Sequence, residues 1–366
     1  MPDFTSALYL GMHHPKSELR PWQQLTSGVP LALAVPDAQR RVETSLAKLV
    51  NCDAAVLGPS TLHLFWDLFG LLANKRTVIL VDRGAYPISR WGIERARLQG
   101  AQVETFPHHD ANALDMASKR HSERRILVVS DGFCTGCGSR APVADYLAIA
   151  TARGGMLVLD DTQGLGLLGI MPSKTHPLGR GGGGVVADLP ARSPHLLAIS
   201  SLGKGFGVPL AALAGSHTWL KRFIAESDTR VHCSPPSLAH VHAAAHALNL
   251  NQRQGERLRE RLVKLIRTFR NLIRQLGWRS VGGLFPVQSL IFRNPEEARQ
   301  LYRNLLRHDI YTVLRRIRCC GHAAVSFVLN AHHKDHELEI ALSRLARILP
   351  NASTNLMESP NEYPIY

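Results

Sequence analysis

The sequence has no long apolar run and no recognisable targeting segment. No stretch approaches the roughly eighteen uninterrupted apolar residues that a membrane span requires. The first fifteen residues, MPDFTSALYLGMHHP, have no basic region, apolar core or cleavage site of a signal peptide. We therefore expect no contact with a membrane and a cytoplasmic location.

Cysteine is also scarce, with six residues among 366, which is too few for a disulfide scaffold and fits a reducing compartment. The pair Cys134-x-x-Cys137 could be a redox motif, or half of a zinc site completed by Cys319 and Cys320. The compact spacing of a zinc finger or ribbon is missing, and the glycines around the pair indicate a loop. We therefore predict plain thiols and no metal.

Acidic residues are outnumbered, with 29 Asp and Glu against 43 Lys and Arg, which gives a net charge of +14. Much of the excess lies at 253–279, where apolar residues recur at helical spacing and the arginines form a solvated face. The charge could attract an anionic substrate or a nucleic acid. Charge alone does not choose between these partners.

Between residues 45 and 225, helical stretches alternate with short apolar runs. Continuous apolar runs are typical of strands buried on both faces of a mainly parallel sheet. The alternation predicts a doubly wound α/β domain, in which ligands collect at the carboxyl ends of the strands. The predicted strands are 78–82, 126–130, 156–160, 196–200 and 211–215.

After residue 225 the pattern changes to a long helix followed by three strand-like and two further helical segments, which predicts a smaller α+β domain. The predicted strands are 287–292, 310–314 and 324–329. The predicted domains are 1–44, an N-terminal segment that packs with the small domain, 45–240, the large α/β domain, and 241–366, the small C-terminal domain.

Two ionisable residues follow neighbouring predicted strands. Lys204 lies among small residues in the segment SSLGKGFG, where glycines let a planar cofactor approach the backbone. Asp160 ends a buried strand, and a buried carboxylate is costly unless it meets a positive partner. A protonated pyridine nitrogen would be such a partner. Together the two residues predict a pyridoxal 5'-phosphate (PLP) site.

These two segments also carry a family resemblance. SLGKGFG around Lys204 and LVLDDTQGLGLLG at 157–169 resemble the α-oxoamine synthases of fold-type-I PLP enzymes, a branch that includes 8-amino-7-oxononanoate synthase and 2-amino-3-ketobutyrate CoA ligase. The resemblance covers nearly the whole chain and implies a mainly parallel central sheet and a homodimer. Further similar segments are 4–15, 82–86, 130–132, 141–142, 234–236 and 311–315.

The resemblance implies a role for individual residues. Lys204 would hold PLP as a Schiff base and move the Cα proton, and Asp160 would pair with the pyridine nitrogen. Arg315 would grip the substrate carboxylate, with Arg316 and Arg318 as rivals in the same loop. The other implied site residues are Tyr86, stacked on the ring, Gln163, at the phenolic oxygen, Asp131 and Thr135, at the cofactor's edge, and Ser60, Thr61 and Ser201, at the phosphate.

Two of these positions depart from the family pattern. Tyr86 and Gln163 stand where the family has histidines, and glutamine can hydrogen-bond but cannot transfer a proton near neutral pH. The first predicted function is the decarboxylative condensation of an amino acid with an acyl thioester, on CoA or an acyl carrier protein, to an α-amino ketone. The alternative is a PLP-dependent aminotransferase or another Cα-directed PLP enzyme. A third hypothesis is a non-catalytic or nucleic-acid-binding protein, which the presence of both Lys204 and Asp160 argues against.

Overall fold

A computed structural model of the chain describes residues 2–348. Met1 and residues 349–366, the end of the predicted C-terminal domain, lie outside the described residues. The helices are α1 Asp37–Leu49, α2 Thr61–Leu72, α3 Pro87–Leu98, α4 Ala111–Arg120, α5 Val143–Ala152, α6 His217–Glu226, α7 Asp228–His232, α8 Leu238–Gln275, α9 Pro295–Arg307 and α10 Asp335–Ile348. The strands are β1 Ala54–Gly58, β2 Thr77–Asp82, β3 Gln102–Phe106, β4 Arg125–Asp131, β5 Phe133–Cys134, β6 Ser139–Arg140, β7 Met156–Asp160, β8 Leu196–Ser201, β9 Ala211–Gly215, β10 Val287–Phe292, β11 Val313–Arg316 and β12 Ala323–Val328.

The central sheet has seven strands in the order β1-β9-β8-β7-β4-β2-β3. Strand β9 runs antiparallel to both of its neighbours, and the other six strands are parallel to one another. Successive side chains of a strand point to opposite faces. In β2, Val78 and Leu80 therefore pack in one buried cluster and Ile79 and Val81 in another. The mainly parallel sheet of the predicted fold class is present.

Helices cover both faces of this sheet. Side chains from α2, α3 and α6 pack on one face, and side chains from α1, α4, α5 and α8 pack on the other. Each fully buried aliphatic side chain stabilises the fold by about 1.5–3 kcal/mol. This double burial explains the continuous apolar runs in the sequence. No helix within residues 2–348 combines the length and the apolarity that crossing a bilayer requires.

A second, antiparallel sheet has the order β10-β12-β11, and α9 and α10 lie in the same part of the chain. The N-terminal residues run along this sheet: Phe4 N–H donates to the Tyr311 carbonyl at 2.9 Å, and Val328 N–H donates to the Phe4 carbonyl at 2.9 Å. Further along, Ala331 N–H donates to the Tyr9 carbonyl at 2.9 Å. The domain boundaries at 44/45 and 240/241 stay predictions.

Some strands of the structure differ from the predicted ones. Strands β1 and β3 were not predicted, since β1 is short and rich in alanine and β3 lies at an edge with a partly exposed, mixed sequence. The long helix predicted after residue 225 is present as α8, and it includes residues 253–275 of the predicted basic stretch. Strand β11 covers 313–316 rather than 310–314, because its pairing with β12 begins at Val313.

Candidate active site

The carboxyl ends of four adjacent parallel strands meet at one edge of the central sheet. Strands β2, β4 and β7 end at Asp82, Asp131 and Asp160, and β8 ends at Ser201. In the sheet register Asp131 lies beside Asp160, and Asp160 lies beside Ile199 of β8. Ligands of open α/β sheets bind at such an edge. The structure therefore brings the predicted strand-end residues together.

Two carboxylates lie side by side at this edge. Asp131 and Asp160 are 8% and 6% exposed. Burial raises the pKa of both, and the charge of Asp160 raises that of Asp131 further. The backbone N–H of Thr162 donates to Asp160 Oδ1 at 3.0 Å, and that of Tyr86 donates to Asp131 Oδ1 at 2.9 Å. Each carboxylate is thus held in place by a neighbouring loop.

Lys204 lies three residues beyond β8, in the turn that follows it. Its side-chain amine makes no hydrogen bond or ion pair with any other residue of the described part of the chain. Burial lowers the pKa of Lys204, Asp160 opposes that shift, and the nearby positive charge of Arg318 adds to it. The neutral amine, which is the nucleophilic and proton-accepting form, therefore forms at a lower pH than it does for a lysine in water.

Arg315 and Thr135, both predicted site residues, are in direct contact. Arg315 Nη1 donates to Thr135 Oγ1 at 2.8 Å, and Nη2 donates to the Thr135 carbonyl at 2.9 Å. Two serines of the small sheet accept its remaining hydrogen bonds: Ser326 Oγ from Nε at 2.8 Å and Ser289 Oγ from Nη2 at 3.0 Å. The guanidinium of Arg315 thus joins the small sheet to the turn between β5 and β6.

Arg318, the alternative candidate for binding the substrate carboxylate, is more exposed to solvent than Arg315. Its guanidinium lies 4.7 Å from the ring centroid of Tyr86, and its Nη2 is 3.5 Å from Asp131 Oδ2. Its Nε donates to the Gly84 carbonyl at 3.1 Å. The Arg318 side chain is 38% exposed and Tyr86 is 40% exposed. An exposed cation above an exposed aromatic ring is well placed to meet an incoming anion.

Gln163 has a partner that sequence reasoning missed. The buried Tyr9 hydroxyl donates to Gln163 Oε1 at 2.7 Å, and the Tyr9 N–H contacts the Lys204 carbonyl at 3.2 Å. Burial raises the pKa of Tyr9, so its hydroxyl remains a donor. The similarity of segment 4–15 to the family was the available signal, although it pointed to no particular residue.

The predicted phosphate-binding residues fall into two places. Ser201 belongs to the central group, because its N–H donates to Thr162 Oγ1 at 2.9 Å and its Oγ accepts from Gly203 N–H at 3.1 Å. Ser60 and Thr61 open α2, where Ser60 Oγ lies 2.8 Å from His63 Nδ1. They follow β1, which is separated from β8 by one strand, and within residues 2–348 they hydrogen-bond none of the residues around Lys204.

A mainly parallel sheet with a lysine and two carboxylates at its carboxyl edge is the arrangement predicted for fold-type-I PLP enzymes. Residues 30–345 match the family Aminotransferase class I and II, and the chain belongs to this family of PLP-dependent transferases. The predicted fold class and cofactor are therefore confirmed.

The chain is similar to proteins named 8-amino-7-oxononanoate synthase. One from Paraburkholderia phymatum is 31% identical over 254 residues, covering 68% of this chain and 61% of that protein's length. One from Nitrosococcus oceani is 26% identical over 355 residues, covering 94% and 91%. A serine palmitoyltransferase structure from S. paucimobilis matches with a TM-score of 0.80 at 18% identity, covering 94% of this chain and 86% of that one. These similarities agree with the predicted α-oxoamine synthase resemblance.

Proposed function

We propose that the protein condenses an amino acid with an acyl thioester, with loss of CO2, to give an α-amino ketone. The observation that carries the PLP chemistry of this proposal is the pair formed by Lys204 and Asp160. The similarity to proteins named 8-amino-7-oxononanoate synthase supports condensation as the reaction. The Lys204 amine has no hydrogen-bonding partner among the described residues, and the buried Asp160 carboxylate receives hydrogen bonds only from Thr162. A buried carboxylate without a cation in contact fits the protonated ring nitrogen of PLP.

The residues present fit a phosphorylated pyridine. Lys204 would hold it covalently, Asp160 would face its ring nitrogen and Tyr86 would stack on its face. Asp131, Thr135 and Gln163 would line its edge. Ser201 and the N-terminus of α2, at Ser60 and Thr61, would receive its phosphate, since a helix N-terminus favours an anion. When bound, PLP is an electron sink that stabilises negative charge at the Cα of an amino acid.

Different side chains would bind the substrate and transfer its proton. The Lys204 amine, with its lowered pKa, would take the proton from the substrate's Cα and later return it. A guanidinium would bind the substrate carboxylate. Arg315 is the residue that the family resemblance implies, whereas the exposure of Arg318 and its place over Tyr86 support Arg318. The net charge of +14 would help to attract the phosphates of CoA or an acidic carrier protein.

The alternative, a PLP-dependent aminotransferase, is favoured by one observation. Gln163 accepts a hydrogen bond from Tyr9, which keeps it in place as a neutral group that cannot supply a proton. Condensation would then lack the histidine that the family pattern has at this position. The homodimer, the cytoplasmic location and the absence of a nucleic-acid partner stay predictions.

The test is to incubate the purified protein with single amino acids and a series of acyl-CoA thioesters. We expect thiol release that depends on both substrates, and an α-amino ketone of the corresponding mass. Lys204→Ala should release no thiol and should lose the visible absorbance that borohydride removes from the wild type. Exchange of amino groups with keto acids, without thiol release, would support the aminotransferase instead.

A further inference from the structure

Four potential metal ligands meet beside the active site. They are His108, which follows β3, Cys134 of β5, Cys137 of the β5–β6 turn and Cys319 of the β11–β12 loop. One ligand atom of each lies within 4.8 Å of all the others. The sequence predicted plain thiols here, because the compact spacing of a zinc finger is missing and the glycines around Cys134 and Cys137 indicate a loop. The zinc alternative had Cys320 rather than His108 as the fourth ligand.

The distances suit one tetrahedral zinc ion. With Zn–S near 2.3 Å and Zn–N near 2.0–2.1 Å, two sulfurs on the same zinc lie about 3.8 Å apart, and a sulfur and a nitrogen about 3.6 Å apart. His108 Nε2 lies 3.5 Å from Cys137 Sγ. Three cysteines with one histidine are a common ligand set of structural zinc sites.

The β5–β6 hairpin brings Cys134, at the end of β5, close to Cys137, in the turn. Gly136 N–H donates to Cys134 Sγ at 3.3 Å, and Gly138 N–H donates to the Cys134 carbonyl at 2.8 Å. Gly138 has φ +74°, which favours glycine. A Cβ at position 136 would lie only 2.8 Å from Cys319 Sγ. The glycines at 136 and 138 therefore let the turn close around the third sulfur.

His108 is oriented by a carboxylate. Its Nδ1 lies 2.6 Å from Asp82 Oδ1, which also accepts the Gly84 N–H at 2.7 Å, and Asp82 Oδ2 accepts the His109 N–H at 3.0 Å. A proton on Nδ1 leaves the Nε2 lone pair facing Cys137. Metal-binding histidines usually donate their other N–H to such a carboxylate.

We propose that His108, Cys134, Cys137 and Cys319 bind one Zn²⁺ ion in a closed, structural site. The thiol protons pass to the buffer as the thiolates bind the metal. Because all four ligands come from the protein, no position is left for a substrate.

The proposed metal would also connect the two sheets. Cys134 and Cys137 belong to the turn that carries Thr135, whose oxygens accept hydrogen bonds from Arg315. Cys319 directly follows Arg318, which pairs with Asp131. The ion would fix the turn and the β11–β12 loop to each other, and thereby keep both arginines in position. This inference does not depend on the reaction that the enzyme catalyses.

The test is the zinc content of protein without an affinity tag, purified under reducing conditions and analysed by inductively coupled plasma mass spectrometry. We expect about one zinc per chain in the wild type and at least about fivefold less in Cys319→Ser. Cys320→Ser is the matched control, since Cys320 is the exposed neighbour and is not among the four ligands. This control should keep its zinc.

A second measurement covers the case in which Cys319→Ser fails to fold. A mercurial reagent added to the folded wild type should release zinc, detected with a metal-sensitive dye, as its thiols are titrated. Wild-type protein that contains less than about a tenth of an equivalent of zinc, even after reduction and incubation with ZnCl2, would overturn the proposal. So would a disulfide among Cys134, Cys137 and Cys319 in protein purified without reductant.

Discussion

Lys204 and Arg315 are both half-buried cations at the edge of one site, but they differ in their partners. On the lysine side, formed by Lys204 with Asp160, the amine makes no hydrogen bond within residues 2–348. On the arginine side, formed by Arg315 with Thr135, the guanidinium donates four hydrogen bonds to three residues. An ionisable group without hydrogen-bonding partners is available for chemistry, whereas one with several partners holds elements together. The difference predicts which substitutions impair catalysis and which impair stability.

The largest expected effect on stability is that of Arg315→Ala. It removes four hydrogen bonds and leaves the Thr135 hydroxyl and carbonyl oxygens without their Arg315 donors, while Ser289 and Ser326 keep their hydrogen bond to each other. We therefore expect the free energy of unfolding to fall by about 3 kcal/mol. Urea unfolding followed by circular dichroism measures the change. Arg316→Ala, in the same strand but exposed, should change stability by less than about 0.5 kcal/mol. Equal losses in both variants would contradict a structural role for Arg315.

On the lysine side, Asp160→Asn should impair catalysis rather than folding. Asparagine keeps the shape but not the negative charge, so kcat should fall on the order of 10²-fold. The control is Asp161→Asn, whose carboxylate instead accepts the N–H groups of Val185 and Val186. Burial raises the pKa of Asp161 to about 7. The control should keep most of the activity, and a similar loss in both variants would count against the assigned role.

The Arg318→Ala variant tests whether Arg318 or Arg315 binds the substrate carboxylate. The Arg318 side chain is 38% exposed, so stability should change little, whereas KM for the amino acid should rise about tenfold if its guanidinium binds the carboxylate. Steady-state kinetics with varied amino acid measures this. An unchanged KM in this variant would leave Arg315 as the carboxylate-binding residue, as the family resemblance implies.

The pH profile tests the paired carboxylates. The negative charge of Asp160 raises the pKa of Asp131, in addition to the larger effect of burial. Asp131 is the carboxyl of the pair whose pKa is raised well above its usual range, so it takes a proton first as the pH falls. Asp131→Asn removes that titrating group, so the acid limb of kcat/KM should move to lower pH. Asp53→Asn, which changes a carboxylate paired with Arg192 away from the site, should leave that limb in place. A shift to higher pH would contradict the coupling.

The smallest effect is expected for Tyr9→Phe. The variant leaves Gln163 Oε1 without the Tyr9 hydroxyl, which should lower the free energy of unfolding by about 1 kcal/mol. Thermal unfolding measures it against Tyr311→Phe, whose hydroxyl makes no hydrogen bond within the described residues. No difference between the two variants would show that the Tyr9 contact contributes little.

Much of the lysine side could be predicted from the sequence, because buried strands produce continuous apolar runs and the residues after them must meet at one edge. Asp131, Asp160 and Ser201 were placed in this way, and Lys204 followed. The arginine side could not be resolved in the same way. The choice between Arg315 and Arg318 depends on which loop oxygens each guanidinium reaches, and no local pattern encodes that.

The cluster of three cysteines and His108 could be predicted only in part. The sequence offered Cys134, Cys137 and Cys319, together with Cys320, as possible zinc ligands, but it gave no signal for His108. The ligands of the cluster come from three separate loops, and only the packing of the two sheets brings these loops together. Tyr9 is similar, since its partners Lys204 and Gln163 are distant in the chain. Propensity and periodicity describe elements, whereas such contacts depend on how the elements are assembled.

The N-terminal segment has a consequence for biosynthesis. Residues 4 and 9 hydrogen-bond the backbone at Tyr311, Val328 and Ala331, and Tyr9 also contacts Lys204. A ribosome adds about 5–20 residues per second. The backbone partners at Tyr311, Val328 and Ala331 are therefore made tens of seconds after residues 4 and 9. The site around Lys204 is completed only after residue 331 has been made, so a nascent chain carries the lysine long before it has the full site.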